Sequence, residues 1–183
     1  MNKHCLVFVL ATLVVVVSTS TAQDGVINRR EALAAVYPDA TVTRDRIILT
    51  SEQMNSVASL ARVGMQGKIF PRYIARKGNA VIGRAYIDTH TAKTERQSLL
   101  VSLDTEGRII RVDVTIFFEP AQYMAPQNFL RQYDGAVLHD ELVIRRGVRP
   151  IAGASFTGRA VNNAVRRVLA LDQVLQSEVS AAQ

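Results

Sequence analysis

The chain has 183 residues, with 22 Lys and Arg against 16 Asp and Glu, a net charge of +6 and a single cysteine. That length suits one well-buried domain, and the lone cysteine excludes a disulfide framework or a cysteine metal centre. The excess of base favours anionic partners, but nucleic acid is a poor candidate because the arginines are scattered and no recognisable binding module accompanies them.

Lys3 precedes an apolar run over 5–17, and small polar residues follow to Ser20-Thr21-Ala22. A basic start, a thirteen-residue apolar stretch and a small-x-small site predict a secretory signal peptide over 1–22. The run is short for a bilayer span; left uncleaved, it would act as an N-terminal anchor. Cleavage after Ala22 removes Cys5 and Lys3, leaving 21 basic residues against 16 acidic ones. The expected product is soluble and extracytoplasmic, as in a periplasm.

Residues 28–37 predict a short helix with Ala32, Leu33 and Val36 on one side, stopped by Pro38. Residues 41–49 read as a strand. Thr50-Ser51-Glu52-Gln53 then opens a helix striped by Met54, Val57, Leu60 and Ala61 that runs to Gly64. Two hairpins follow. The first joins 69–76 to 80–89 through Lys77-Gly78-Asn79, and the second joins 98–104 to 108–118 through Thr105-Glu106-Gly107. In the last strand Ile110, Val112, Val114 and Ile116 alternate with Arg111, Asp113 and Thr115, so the apolar four are expected on a buried face. Glu119-Pro120 ends the sheet, since proline cannot donate to a ladder.

A short helix is expected over 127–133, closed by Asp134-Gly135, and a small strand over 142–144. The final helix is expected over 156–178, with Val161, Ala164, Val165, Val168, Leu171 and Leu175 on its apolar stripe. This order predicts a single α+β domain, an antiparallel sheet packed with helices and ending in a long C-terminal helix.

Ile151-Ala152-Gly153-Ala154-Ser155 leads directly into that helix. A helix start offers unpaired N–H groups and a positive dipole end, which favour a phosphate. Ser155 there can cap the helix, coordinate a phosphate or carry one covalently. A serine hydrolase of the G-x-S-x-G type is disfavoured, because Thr157 replaces the second glycine and no histidine follows the serine. His90 is expected in a surface loop, and no spacing of His and acids suggests a metal site.

Gly153-Ala154-Ser155-x-Thr157 followed by Ala160-Val161 resembles the signature of the FMN-binding domain family. That family includes extracytoplasmic flavin subunits of the sodium-pumping quinone reductase and of Rnf-type complexes, and standalone exported relatives. Glu119-Pro120-x-x-Tyr123, then Phe129, Gln132-Tyr133 and Gly135, is similar to the family's glutamate–proline loop and short helix. With Tyr86-Ile87-Asp88-Thr89-His90 in the first hairpin, the likeness spans roughly residues 70–175.

The resemblance implies an FMN-binding domain over 23–183 acting as an electron carrier with membrane or extracytoplasmic redox partners. Ser155 would carry FMN through a phosphoester made by a flavin transferase. Gly153, Ala154 and Thr157 would shape the phosphate site, Glu119 would lie near the flavin, and Tyr123 and Phe129 would wall the ring. The flavin, rather than a substrate-specific acid or base, would supply the chemistry. The chain departs from the pattern at Arg149, where the family has an aspartate six residues before the acceptor, and at Ala152, where a hydroxyl is common. Arg149 either pairs with the phosphate beside Arg145 and Arg146, holding FMN without a covalent bond, or marks a flavin-free binding or structural module of the same fold.

Overall fold

The computed structural model describes residues 25–181, so the expected signal peptide lies outside the described residues. Five strands form one antiparallel sheet: β1 (Thr41–Ile48), β2 (Ile69–Lys77), β3 (Ala80–Thr91), β4 (Arg96–Leu103) and β5 (Ile109–Phe117). They lie side by side in chain order. Helices α1 (Arg29–Val36), α2 (Ser51–Ala61), α3 (Gln127–Leu130) and α4 (Ser155–Ala181) complete the α+β domain that the sequence predicts.

The two sheet faces bury separate cores. On one face α2 and α4 pack over Tyr86, Leu99, Val101, Val112 and Val114, with Val161, Ala164, Val165, Val168 and Leu171 supplying the α4 stripe. On the other, Leu33 and Tyr37 of the α1 segment cover Tyr73, Ala85, Ile87 and Leu100. Tyr37 fixes that segment by donating its hydroxyl between the carbonyls of Arg84 and Leu103, at 2.7 and 2.8 Å.

Local chemistry explains the helix starts. Asn28 caps α1 by accepting from the Arg30 amide. Thr50 and Gln53 form the reciprocal capping box expected at α2. The C-terminal end of α2 is met by Arg166 of α4, whose side chain is buried and has no carboxylate partner among the described residues. Its Nε donates to the Ala61 carbonyl at 2.7 Å, and its Nη1 donates to His139 and Leu142 carbonyls. Burial holds this guanidinium below its ordinary pKa.

Three expectations need correction. The period-two reading of β5 fails because register shifts interrupt its pairing with β4, between Ser98 and Leu99 and between Ser102 and Leu103. Each shift offsets the alternation, so Ile109 and Phe117 turn inward beside Val112 and Val114, while Ile110 and Ile116 are 39% and 36% exposed. The small strand at 142–144 is reduced to one bridge, Ile144 with Val148. His90 is no loop residue: β3 extends through Thr91, and His90 is buried.

The inward side of β3 carries Arg84, Tyr86, Asp88 and His90, and α4 supplies partners for the first three. Arg84 pairs with Asp172 at 2.7 Å, and the Tyr86 hydroxyl donates to the same carboxylate. Arg167 grips Asp88 through Nε and Nη2 at 2.9 and 2.8 Å. His90 donates from Nδ1 to Asp88 at 2.7 Å, which leaves Nε2 to accept from Gln97. Burial alone would raise the Asp88 carboxyl, but the His90 and Arg167 hydrogen bonds hold it below the usual range.

Candidate functional site at the start of the long helix

A small cleft of about 220 Å³ opens where the β3–β4 loop, the chain leaving β5 and the first turn of α4 meet. Its walls are Lys93, Glu119, Tyr123 and the run Gly153-Ala154-Ser155-Phe156-Thr157. Glu119 and the glycine–alanine–serine turn therefore share one cleft although more than thirty residues separate them.

The turn is built for close approach. Gly153 has φ +74°, a left-handed conformation that a side chain would strain. The carbonyl of Ala154 accepts the first helical bond, from the Gly158 amide. The cap position is therefore Ala154, and Ser155 is the first helical residue rather than the cap. Alanine has no side-chain acceptor, so the amides of Ser155, Phe156 and Thr157 find no partner among the described residues. The exposed Ser155 side chain also makes no hydrogen bond among them. Thr157 is 3% exposed, and its hydroxyl too lacks a partner there.

Glu119 is fully engaged in loop building. Its Oε1 accepts from the amides of Thr94 at 2.6 Å, Glu95 at 2.8 Å and Lys93 at 3.2 Å. The Thr94 amide bond, followed by that of Glu95, holds its carboxyl below the ordinary glutamate range. A carboxylate so held fixes the loop that brings Lys93 to the cleft. Of the two aromatic candidates, Tyr123 lines the cleft and is 40% exposed, while Phe129 is buried in the core, edge-on to Tyr133.

The arginines divide. Ser155 borders a second cleft of about 220 Å³, lined by Arg145, Arg159, Pro150 and Ile151. Arg145 thus flanks the serine, from a backbone at φ +72°. Arg146 pairs instead with Glu141. Arg149 is bound to Gln132, which accepts from its amide at 2.9 Å and donates to its carbonyl at 3.3 Å. It lines a separate depression with Phe129 and Ile151 and neither of the clefts that Ser155 borders.

Sequence reasoning missed Lys93, Phe156 and Arg159. Phe156 is 54% exposed, with Lys93 Nζ at 5.9 Å from its ring centre and the Arg159 guanidinium at 5.0 Å. Arg159 was legible, because it lies four residues after Ser155 on one helix face. Lys93 was not, since only the Glu119 clamp places it.

The arrangement can bind an anion: free helix amides, two hydroxyls and cations from three segments converge on one turn. No histidine lines either cleft. Among the described residues no group of three His, Cys, Asp or Glu is placed to hold a metal, and no helix is long and apolar enough to cross a membrane. No protein-family model matches the chain, and no curated protein matches it either.

Proposed function

We propose that the protein is an exported FMN-binding redox module, an electron carrier whose flavin is attached through its phosphate to Ser155. One observation carries this reading. Ser155, Thr157, Gly153 and Ala154, which the resemblance places around the phosphate, and Glu119, which it places near the flavin, line a single cleft at a helix start.

The residues fit the phosphate end of such a group. Uncapped amides of Ser155, Phe156 and Thr157 and the unpartnered Thr157 hydroxyl would hold phosphate oxygens. Lys93, Arg145 and Arg159 would balance their charge. Tyr123 and Phe156 are the exposed aromatic surfaces beside them. Attachment would exchange the Ser155 Oγ–H bond and one P–O bond of the flavin phosphate for an Oγ–P ester, the displaced oxygen leaving with the serine proton on the transferase's flavin-nucleotide donor fragment, so the bound chain would gain FMN less one water. A flavin held this way supplies one- and two-electron transfer, and the partners are a flavin transferase and membrane or extracytoplasmic redox proteins.

Arg149 favours a second reading, a flavin-free binding or structural module of the same fold, because it stands where the resemblance has an aspartate and lines neither cleft that Ser155 borders. Exporting the protein from cells that carry a flavin transferase and measuring its intact mass separates the two. A mass gain of FMN less water, absent in Ser155→Ala, is the expected result. An unmodified mass with extractable FMN moves attachment to ion pairing at the cations. A colourless, unmodified protein overturns the redox reading.

A further inference from the structure

A groove of about 890 Å³ lies on the opposite face of the sheet, between α1 and the edge strand β1. Leu33, Val42 and Tyr73 form part of its floor, and Arg29, Arg30 and Arg44 stand along it. Glu31 and Asp39 also line it, yet no ion pair involves any of these five charged groups among the described residues.

Arg29 is the clearest anomaly. Its Nη1 donates to the Tyr73 hydroxyl at 2.9 Å, across the floor of the groove. Its Nε is shut off from solvent and has no partner among the described residues. A guanidinium partly removed from water with one N–H unsatisfied has lost hydration without a compensating anion. It is also held in place, because the α1 segment is anchored through Tyr37 and through the Arg111 guanidinium on the Ala32 carbonyl. Arg44, exposed on β1 opposite Tyr73, lines the same groove and is in no ion pair among the described residues. Cations without ion-pair partners above a half-apolar floor are complementary to an oxyanion joined to an apolar body.

We propose that this groove binds a soluble anionic amphiphile, an organic oxyanion with its head at Arg29 and Arg44 and its body along Leu33, Val42 and Tyr73. The proposal is independent of the cleft at Ser155, which lies at the start of α4 and shares no lining residue with the groove.

Calorimetric titration of the protein with octanoate, octanamide and acetate tests it. Octanoate is expected to bind saturably at one site, with octanamide and acetate about tenfold weaker or worse, each lacking either the charged head or the body. Arg29→Gln and Arg44→Gln should each weaken octanoate by about tenfold, the loss expected for one charge-assisted contact. Arg108→Gln and Ser155→Ala should leave it unchanged. Arg44→Gln lies on an exposed edge strand, so it keeps the test decisive if Arg29→Gln loosens α1. Acetate binding as tightly as octanoate would reduce the site to an adventitious ion only, and octanamide binding equally would remove the role of the arginines. Absence of saturable octanoate binding overturns the proposal, and sedimentation with phosphatidylglycerol vesicles in that case would reassign the face to a membrane surface.

Discussion

Ala154 sits where helices usually carry a side-chain oxygen, and this one substitution leaves the first amides of α4 free for a ligand. Ala154→Ser should supply the missing acceptor and stabilise the fold by about 1 kcal/mol, raising the melting temperature by about 2–4 °C for a chain of this size. The same change should lower FMN loading at Ser155, because the new hydroxyl occupies an amide that the phosphate would use. Thermal unfolding and intact mass, read on the same sample, check both halves. The sequence located this turn but assigned the cap one residue too late, since composition alone does not fix a helix boundary so finely. Arg149 shows the opposite limit. Its place in the motif is plain from spacing, whereas its bond to Gln132 depends on a tertiary contact seventeen residues away.

Between elements, the polar strip of β3 against α4 is the feature that local sequence conceals. Alternation identifies Arg84, Asp88 and His90 as one side of a strand, and polar residues on one side ordinarily signal solvent. They are buried because α4 delivers Asp172 and Arg167 from 88 and 79 residues away. Arg167→Leu should strand the Asp88 carboxylate and cost about 3–5 kcal/mol, measured by urea unfolding at neutral pH. The pH dependence has a definite sign. The folded Asp88 carboxyl lies below its unfolded value, so its contribution is complete above the unfolded pKa of about 3.9 and is lost as pH falls through the folded one. The deficit of Arg167→Leu should therefore be largest near neutrality and shrink towards pH 3. The hairpins themselves were legible from turn residues and alternation. The shifts in β5 were not, because an extra residue in a strand leaves the composition unchanged.

Across the whole molecule, the sheet separates a large core beneath α2 and α4 from a small one beneath α1. Local opening should follow that asymmetry, so amides of α1 should exchange hydrogen well before the central amides of α4, as native-state exchange would show. The α+β class and the five sheet strands were readable because each announces itself within its own residues, whereas the sixth, short strand expected over 142–144 is only a bridge. The shared cleft was not readable from spacing, since it depends on the chain leaving β5 and entering α4 at the same end of the sheet. The strand order carries one more consequence. Strands β2 to β5 form a meander that short loops close, with β1 added through α2, and such local pairings form quickly. The wall of the cleft that faces Glu119, by contrast, arrives with the last helix, so the cleft is expected to complete late in refolding. Attachment at Ser155 would then mark chains that have finished folding, and unfinished ones would carry nothing.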